Sequence, residues 1–484
     1  MKLLKREKTP TLPVRVLQFG EGNFLRAFID WMIHEMNQQG KFNGLVQIIQ
    51  PLPAGMTDAI NAQDGLYTLI LRGIADGKVV EKREIIESVK GCLNPYADWD
   101  AAVHAACSPD LRFVFSNTTE AGIEYKPEPR IPGQCPNTYP AKLTSLMFER
   151  WKHFHGDPAK GILFLPCELI DKNGATLKTH MLHYAADWKL PPEFSAWLEE
   201  SCCFFNTLVD RIVAGYPRAE AAKICEELGY QDNLIDCGEI FHFFVIEGPE
   251  SILNELPLKE CGLNVVVTEN QTPYRTRKVR FLNGAHTANV LASILGGLTF
   301  VDEMMNDPVF GKLVRKSIYG EIFHTVPLPE NEKQFFADSV VERFLNPFAQ
   351  HRLLSISLNS VSKWKVRVLP SLLDYLRLKG TLPPALAFSL AALLRFYRLE
   401  KGADGKASAS CGDVSWPVSD SSEVIDFFAG IAGKPTGEYV RSALANSAYW
   451  GMDLNTVPGL TDFTIEMLDR IDRKGIREAA QSVL

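Results

Sequence analysis

The sequence predicts an α/β fold in its first half and a mainly α-helical second half. Two observations support this prediction. Short apolar runs alternate with helical patterns up to residue 272, and long helical patterns take over after it. Strands that alternate with helices favour a parallel sheet with crossover helices. We therefore expect an α/β domain over residues 1–272 and a mainly helical domain over residues 273–484.

Four candidate strands and one helix define the first domain. The strands are RVLQF at residues 15–19, VQII at residues 46–49, and two further apolar runs at residues 112–115 and 162–165. A helical pattern over residues 24–36 follows the first strand, with large apolar side chains at helical spacing. This order is typical of a parallel sheet.

Five helical patterns define the second domain. They cover residues 279–295, 309–318, 363–378 (interrupted at Pro370), 385–399 and 423–431. Residues 401–422 are small and polar, and they predict a surface loop between helices.

Composition and charge exclude several classes of function. Hydrophobic residues make up 46% and charged residues 23% of the chain, as in an ordinary globular protein. The net charge of −7 provides no basic field that would attract nucleic acid or anionic lipid. No apolar run reaches the roughly 20 residues that span a bilayer, and the N-terminus lacks a secretory signal. We expect a cytoplasmic protein with neither a nucleic-acid partner nor a membrane partner.

Histidine spacing gives no support for a metal site. His153-x-His155 and His180-x-x-His183 are the only close pairs, and neither stands in an HExxH setting. We therefore expect no bound metal.

A pair of glycines follows the first candidate strand. Gly20 permits a tight turn from strand into helix, and Gly22 lets the backbone approach a pyrophosphate at the helix N-terminus. Leu25 stands where the dinucleotide fingerprint has its third glycine. The strand–turn–helix setting still predicts a Rossmann-type dinucleotide-binding domain.

The second candidate strand ends in Gln50-Pro51. In Rossmann domains an Asp or Glu at this point bonds the adenosine ribose. Gln50 can bond a ribose hydroxyl, and there is no Arg beside it to attract a 2′-phosphate. We therefore expect NAD to be preferred over NADP.

The segment from Arg277 to His286 is the most informative part of the second domain. In a regular α-helix Asn283 and His286 share a face, and Lys278 lies about 12 Å from His286 along the axis. Lys278 and His286 could both contact a sugar chain extended along the helix. From the spacing alone, a solvated basic helix start with a core histidine is an equally good interpretation.

Four motifs resemble those of the long-chain mannitol dehydrogenase family. They are Lys278-x4-Asn283-x2-His286, the segment Leu208-Val209-Asp210-Arg211-Ile212, the turn Gly20-x-Gly22-x-Phe24-x-Arg26-Ala27, and Thr118-Thr119-Glu120-Ala121-Gly122. The matches extend over nearly the whole chain. The resemblance implies a Rossmann-type domain followed by a mainly helical domain, and hydride transfer with NADH and without metal.

The motifs and the resemblance together assign site residues. Lys278 would be the general acid/base, Asn283 would stabilise the developing alkoxide, and His286 would hold a substrate hydroxyl. The cofactor-binding residues would be Phe19, Gly20, Gly22, Asn23, Phe24, Gln50, Thr118 and Glu120. The substrate-binding residues would be Asp210, Asn173, Lys363 and Glu168.

Two departures from the family pattern indicate a sugar acid rather than a polyol as substrate. Cys167-Glu168-Leu169 stands where the family has CDN, which makes Asn173 the candidate for the missing Asn. Ser355 stands where polyol enzymes have an Arg, eight residues before Lys363. Lys363 is therefore the candidate that binds the carboxylate of a keto-uronate. The alternatives are a different uronate, a polyol, or a non-catalytic sensor that has kept the fold.

Overall fold

The computed structural model describes residues 1–75, 77–118, 122–402, 406–411 and 414–484. The chain forms two compact units. The first comprises Met1–Arg72 and Val79–Gln271, and the second comprises Gly73–Lys78 and Thr272–Leu484. Gly73–Lys78 lies in a segment that the sequence analysis placed in the first domain.

The strands follow one another along the chain as follows. They are β1 (Val14–Phe19), β2 (Leu45–Ile49), β3 (Tyr67–Ala75), β4 (Lys78–Ile86), β5 (Val89–Leu93), β6 (Phe113–Ser116), β7 (Leu163–Pro166), β8 (Cys203–Phe204), β9 (Asn206–Asp210), β10 (Asp236–Gly238), β11 (Phe243–Glu247), β12 (Val265–Thr268), β13 (Glu400–Lys401), β14 (Ala407–Cys411) and β15 (Val414–Val418).

A parallel sheet of six strands forms the centre of the first unit, in the order β5-β2-β1-β6-β7-β8. Numbered within this sheet alone, the order is 3-2-1-4-5-6, which is the order of a Rossmann fold. The strand order reverses between β1 and β6, and ligands bind at the carboxyl ends of strands beside such a reversal. The predicted Rossmann-type fold is confirmed.

Helices cover both faces of this sheet. A continuous helix over residues 23–38 consists of Asn23–Leu25, a π-helical turn Arg26–Asp30, and Trp31–Gln38. The other α-helices of the unit are Thr57–Ala62, Trp99–Ala106, Tyr139–His153, Asn173–Asp187, Pro192–Glu200 and Ala221–Leu228, and short 3₁₀ turns lie at Pro158–Lys160, Glu250–Asn254 and Lys259–Cys261.

Two smaller sheets complete the first unit, and the sequence analysis identified neither. One has the order β10-β3-β4, and the other has the order β12-β11-β9. In the first of them β10 pairs with β3 in parallel, although more than 150 residues separate the two strands in sequence. Such pairings have no local signal in the sequence.

The second unit is mainly helical, as predicted. Its α-helices are Thr272–Lys278, Ala285–Leu295, Val301–Asn306, Phe310–Arg315, Glu330–Phe344, Leu353–Ile356, Ser360–Arg367, Leu369–Lys379, Pro384–Phe396, Ser422–Ile431, Thr436–Leu444, Ser447–Trp450, Leu460–Lys474 and Ile476–Gln481. π-Helical turns lie at Val279–Gly284 and Lys316–Glu321, and 3₁₀ turns at Ile322–Thr325 and Leu454–Thr456. The apolar helix Pro384–Phe396 is almost entirely buried within the second unit, and it packs against the helices Ala285–Leu295 and Leu460–Lys474.

The prediction of a surface loop over residues 401–422 is wrong. β13, β14 and β15 form an antiparallel sheet there, although residues 403–405 and 412–413 lie outside the described ranges. Ala407 and Ala409 are buried, with half-buried serines after each, so the segment does alternate with the period of a strand. Alanine and serine differ too little in hydropathy to make that period visible in the sequence.

No helix within the described ranges is both long enough and apolar enough to span a bilayer.

Candidate functional site

The glycine turn leads from β1 into the helix over residues 23–38. Gly20 has a φ of +120°, which L side chains rarely adopt, and a β-carbon there would lie 2.7 Å from the Asn117 carbonyl oxygen. At Gly22, by contrast, no atom of the described residues other than Gly22 and its chain neighbours lies within 4 Å of such a β-carbon. The backbone before Asn23 is thus open to an anion at the start of the helix.

A cavity of about 560 Å³ opens at this turn, and we call it the strand-end cavity. It is lined by Gly20, Glu21, Gly22, Pro51, Leu52, Met56, Asn117, Thr118, Gly122, Glu124, Lys126, Asn137, Thr138 and Tyr139. Gly20, Pro51 and Asn117 come just after the carboxyl ends of β1, β2 and β6. Position, size and glycine turn together fit a dinucleotide.

Two predicted cofactor residues, Phe19 and Phe24, are aromatic and pack within the protein. Phe19 is fully buried at the end of β1, and its ring centroid lies 5.0 Å from that of Tyr139. Phe24 stacks on Phe28 with a centroid distance of 5.1 Å. Both side chains therefore fix the shape of the turn.

Arg26 fastens the glycine turn to a distant part of the chain. Its buried guanidinium donates from Nη2 to Asn23 Oδ1 and from Nη1 to the Leu234 carbonyl oxygen, each at 2.6 Å. Nη2 also lies 4.0 Å from the buried Asp236 carboxylate. The predicted cofactor residue Asn23 is thus held by Arg26, whose hydrogen bond to Leu234 and ion pair with Asp236 each join residues more than 200 positions apart.

Arg211, from a second family motif, reaches the same helix. Its Nη1 donates to the Ala27 carbonyl oxygen at 2.5 Å, and its guanidinium lies 4.0 Å from the centre of the Trp31 ring. Burial lowers the pKa of Arg211 to about 9. The two motifs are therefore parts of one buried arrangement that holds the nucleotide turn.

Two buried carboxyl groups complete this arrangement. Asp30 accepts a hydrogen bond from Gln18 Nε2 at 3.2 Å, and burial raises its pKa to about 7. Burial likewise raises the pKa of Asp236 to about 7, although the nearby charge of Arg26 opposes the shift. Both groups titrate close to neutral pH as a result.

Gln50 forms hydrogen bonds within its own loop. Its Nε2 donates to the carbonyl oxygens of Leu52 at 2.8 Å and Pro53 at 3.2 Å. Its Oε1 accepts from Thr57 N at 3.2 Å and from Thr57 Oγ1 at 2.7 Å. Binding of a ribose by Gln50, as the sequence analysis predicts, requires these hydrogen bonds to break.

Glu168 holds Thr118 at the wall of the strand-end cavity. Its buried carboxylate accepts from Thr118 N at 3.0 Å, Thr118 Oγ1 at 2.9 Å and Ser116 Oγ at 3.0 Å. Burial raises the pKa of Glu168, and these hydrogen bonds oppose the shift. Glu168 thus contacts a predicted cofactor residue, whereas Glu120 lies outside the described ranges.

Asn173 and Asp210 are both buried. Asn173 Nδ2 donates to the carbonyl oxygens of Pro166 at 2.9 Å and Thr207 at 3.2 Å, and Oδ1 accepts from Thr207 N at 2.8 Å. Asp210 ends β9, where it pairs with Phe243 of β11. The contacts of Asn173 join β7 to β9, so its side chain is committed to the fold.

In the second unit, Lys278, Asn283 and His286 lie on one continuous helix that contains the π-helical turn Val279–Gly284. A π-helix bonds residues five apart, which brings their side chains to the same side of the axis. Lys278 and Asn283 are five apart, whereas a regular α-helix would set them about 140° from each other. The regular helix assumed in the sequence analysis is therefore wrong, and π-turns are frequent at functional sites.

Gly284 allows a second helix to approach this turn. A β-carbon at Gly284 would lie 2.8 Å from the Arg367 carbonyl oxygen, closer than real β-carbons come. Arg367 ends the helix Ser360–Arg367, which also carries Lys363. The glycine therefore brings Lys363 and the π-turn into one neighbourhood.

His286 lies between two rings. It stacks on Phe344 with a centroid distance of 3.9 Å and meets His351 edge-on at 5.5 Å. Burial, and then the charges of His351, Arg343 and Arg367, lower its pKa well below the ordinary value. Its buried Nε2 has no hydrogen-bond partner among the described residues. A neutral imidazole with an unsatisfied nitrogen is suited to bind a substrate hydroxyl.

Lys363 belongs to a basic cluster together with His286, Arg343, His351 and Arg367. Its Nζ donates to the Ile356 carbonyl oxygen at 2.9 Å. Burial, and then the charge of Arg367, lower the pKa of Lys363. The sequence analysis missed Arg343, His351 and Arg367, because no motif marks them and only the packing of separate helices brings them together.

Within the described ranges, no group of three or more His, Cys, Asp or Glu side chains is arranged to hold a metal ion.

Models of two known protein domains match most of the chain. The mannitol dehydrogenase Rossmann domain matches residues 14–260, and the mannitol dehydrogenase C-terminal domain matches residues 270–472. The chain belongs to the mannitol dehydrogenase family of oxidoreductases.

Curated relatives with 43–44% identity share one name. Altronate oxidoreductase of Pectobacterium carotovorum subsp. carotovorum (strain PC1) is 44% identical, and that of Escherichia coli O139:H28 (strain E24377A / ETEC) is 43% identical. Each comparison covers 99% of this chain and 99% of the relative.

Solved structures share the fold at lower sequence identity. A D-sorbitol dehydrogenase in substrate-free form superposes with a TM-score of 0.78 at 21% identity, covering 99% of this chain and 100% of that one. Pseudomonas fluorescens mannitol 2-dehydrogenase, in a ternary complex with NAD and D-mannitol, superposes with a TM-score of 0.67 at 20% identity, covering 99% and 96%. These likenesses confirm the fold.

Proposed function

We propose that this chain is an NAD-dependent oxidoreductase that interconverts D-tagaturonate and D-altronate. The observation that carries the proposal is the 43–44% identity to altronate oxidoreductases over 99% of the chain. Fructuronate reductase and mannitol dehydrogenase are the alternatives, with the same chemistry on a different sugar.

The strand-end cavity is the proposed site for NAD. Gly22 offers open backbone for the pyrophosphate, and Thr118 lies in the cavity wall, held by Glu168. When bound, NADH supplies the hydride that reduces the keto group of the sugar acid.

Lys278 holds the proton for the reaction in this proposal. In the reductive direction its ammonium donates a proton to the substrate carbonyl oxygen, and in the oxidative direction its amine accepts the proton from the hydroxyl. Asn283 donates a hydrogen bond to the same oxygen as negative charge develops there. The π-turn supports this assignment because it puts the two side chains on one side of the helix.

The basic cluster is the proposed site for the substrate carboxylate. Lys363 and Arg367 supply basic side chains for the carboxylate, and the neutral His286 beside them binds a sugar hydroxyl through its unsatisfied nitrogen. An uncharged polyol offers no partner for these cations, whereas a uronate does. The cluster therefore favours a sugar acid over a polyol.

We further propose that the enzyme acts in the cytoplasm on this small acid and has no nucleic-acid partner. The net charge of −7 supports the second point, since nucleic acid repels an acidic surface.

A substrate panel tests the proposal. Purified protein is assayed with NADH against D-tagaturonate, D-fructuronate and D-fructose, and kcat/KM is measured for each. We expect D-tagaturonate to be preferred by at least about tenfold, because a site that bonds a hydroxyl discriminates strongly against its misplacement. A preference for D-fructuronate or D-fructose would contradict the assignment.

A further inference from the structure

The end of β2 is where a Rossmann domain holds the adenosine ribose. An Asp or Glu at this point accepts hydrogen bonds from the ribose hydroxyls. Here the position is Gln50, whose amide is bonded to Thr57 and to the carbonyl oxygens of Leu52 and Pro53. Binding of the ribose at this strand end calls for an acceptor from another residue.

Glu21 places a carboxylate at this same strand end. A β-carbon at Gly55 would lie 2.3 Å from Glu21 Oε1 and 2.6 Å from Gln50 Oε1, so these two oxygens are less than about 5 Å apart. Burial raises the pKa of Cys92 on the neighbouring strand β5 to about 12, and the charge of Glu21 adds to that shift. The Glu21 carboxylate therefore lies beside the end of β2.

The loop after β2 is shaped around this carboxylate. A side chain at Gly55 would occupy the place of Glu21 Oε1, so the glycine leaves room for it. Glu21 also lines the strand-end cavity. Burial raises its pKa, while the backbone N–H groups of Glu21 and Met56 oppose the shift by stabilising the charged form.

We propose that Glu21 determines the cofactor specificity of this enzyme by binding the adenosine ribose of NAD. Its carboxylate accepts a hydrogen bond from the 2′-hydroxyl and repels the 2′-phosphate of NADP. The acid that a Rossmann domain ordinarily carries at the end of its second strand is here supplied by the first glycine turn. This inference rests on the proposed use of NAD.

Direct binding tests the proposal without turnover. NAD⁺ and NADP⁺ are titrated calorimetrically into the wild type and Glu21→Gln. The wild type is expected to bind NAD⁺ at least about tenfold more tightly. In Glu21→Gln the charge and its repulsion are gone, so this ratio of dissociation constants is expected to fall by about tenfold.

Glu124→Gln is the matched control. Glu124 lines the same cavity but is paired with Lys126 at 2.9 Å, so its loss should change the NAD⁺/NADP⁺ ratio less than about twofold. An unchanged ratio in Glu21→Gln, or an equal change in Glu124→Gln, would overturn the proposal.

Two fragments test the same point in the wild type alone, whether or not the variant folds. 5′-AMP is expected to bind more tightly than adenosine 2′,5′-bisphosphate, and equal or weaker binding of 5′-AMP would overturn the role of Glu21. Failure of the proposed function would look different. The protein would then show no turnover of D-tagaturonate, whatever the order of these affinities.

Discussion

The glycine turn of the first unit and the helix that carries Lys278, Asn283 and His286 both contain a π-helical turn beside family motif residues, but the two π-turns differ in their surroundings. In the first unit the π-turn Arg26–Asp30 carries buried charged side chains with hydrogen bonds to other parts of the chain, although Arg26 Nε and Asp30 Oδ1 have no partner among the described residues. In the second unit the π-turn Val279–Gly284 precedes His286, whose Nε2 has no partner among the described residues.

The difference agrees with the binding roles proposed for the two regions. Backbone groups hold a pyrophosphate, so the nucleotide turn needs side chains that fix its shape from inside. A sugar is held by side chains, and these must keep bonding capacity for the substrate. The hydrogen bonds that join Arg26 to Asn23 and Leu234 indicate a structural role for Arg26. The unpartnered His286 Nε2 lies beside a cluster of basic side chains, which supports a binding role.

The largest expected effect concerns Lys278, the proposed general acid/base in the second unit. Lys278→Ala should lower kcat about 10²- to 10⁴-fold, because a positioned acid/base group contributes that much. The affinity for NADH should stay close to that of the wild type. Steady-state kinetics with D-tagaturonate and a fluorescence titration of NADH measure the two quantities.

Lys312→Ala serves as its control, because Lys312 is an exposed lysine of the same unit. A small exogenous amine should restore part of the rate to Lys278→Ala. A loss of less than about tenfold in kcat would remove Lys278 from the chemistry.

Arg26→Met should destabilise the first unit by about 3–5 kcal/mol, because Asp236 loses its cation and the oxygens of Asn23 and Leu234 lose a buried charged donor. Urea unfolding, followed in the first unit, measures this loss. The double variant Arg26→Met/Asp236→Asn should recover part of it, since an amide carries no charge. No recovery would show that the contacts of Arg26 with Asn23 and Leu234 matter more than its charge.

Glu321, at the end of the π-turn Lys316–Glu321, should make the stability of the protein depend on pH. It accepts hydrogen bonds from Ala385 N and Leu386 N, and burial raises its pKa from 4.5 to about 7. The unfolded chain loses this proton above its ordinary pKa, whereas the folded protein keeps it up to about pH 7. Stability relative to Glu321→Gln should therefore fall by about 3 kcal/mol as the pH rises through this window.

Chemical denaturation of the wild type and Glu321→Gln between pH 5 and pH 8 measures this slope. Parallel stability profiles would show that Glu321 titrates alike in both states. The kcat values should agree, because Glu321 is bonded within the fold.

The smallest expected effect concerns the substrate carboxylate. Lys363→Met should raise KM for D-tagaturonate about 10- to 100-fold with little change in kcat, because a hydrogen bond to a charged group is lost. Lys365→Met, on the same helix, is the control and should leave KM unchanged. An unchanged KM in Lys363→Met would show that another cation, such as Arg352 or Arg275, binds the substrate carboxylate.

The fold was largely predictable, because apolar strands and helices show their period locally. β1 and β2 could be located in this way. The pairing of β10 with β3 could not, since it joins residues far apart in sequence. β14 was not predicted, because the alternation of buried alanine with half-buried serine gives only a weak strand pattern in the sequence.

The candidate site was predictable only where a motif marks it, and the roles of its residues stay predictions. Lys278, Asn283 and His286 stand in one motif, but its spacing does not reveal the π-turn that aligns Lys278 with Asn283. The roles of the other predicted site residues depend on their hydrogen-bond partners. Asn173 is saturated by backbone contacts, which no sequence pattern shows.

The long reach of Arg26 also has a consequence for synthesis of the chain. Its bond to Leu234 spans 208 residues, so the ribosome makes the glycine turn long before its anchor. At about 5–20 residues per second, roughly 10 to 40 s pass between the two. During that interval the nascent chain exposes the turn and the edges of an incomplete sheet to other chains, and chaperone protection matters most there.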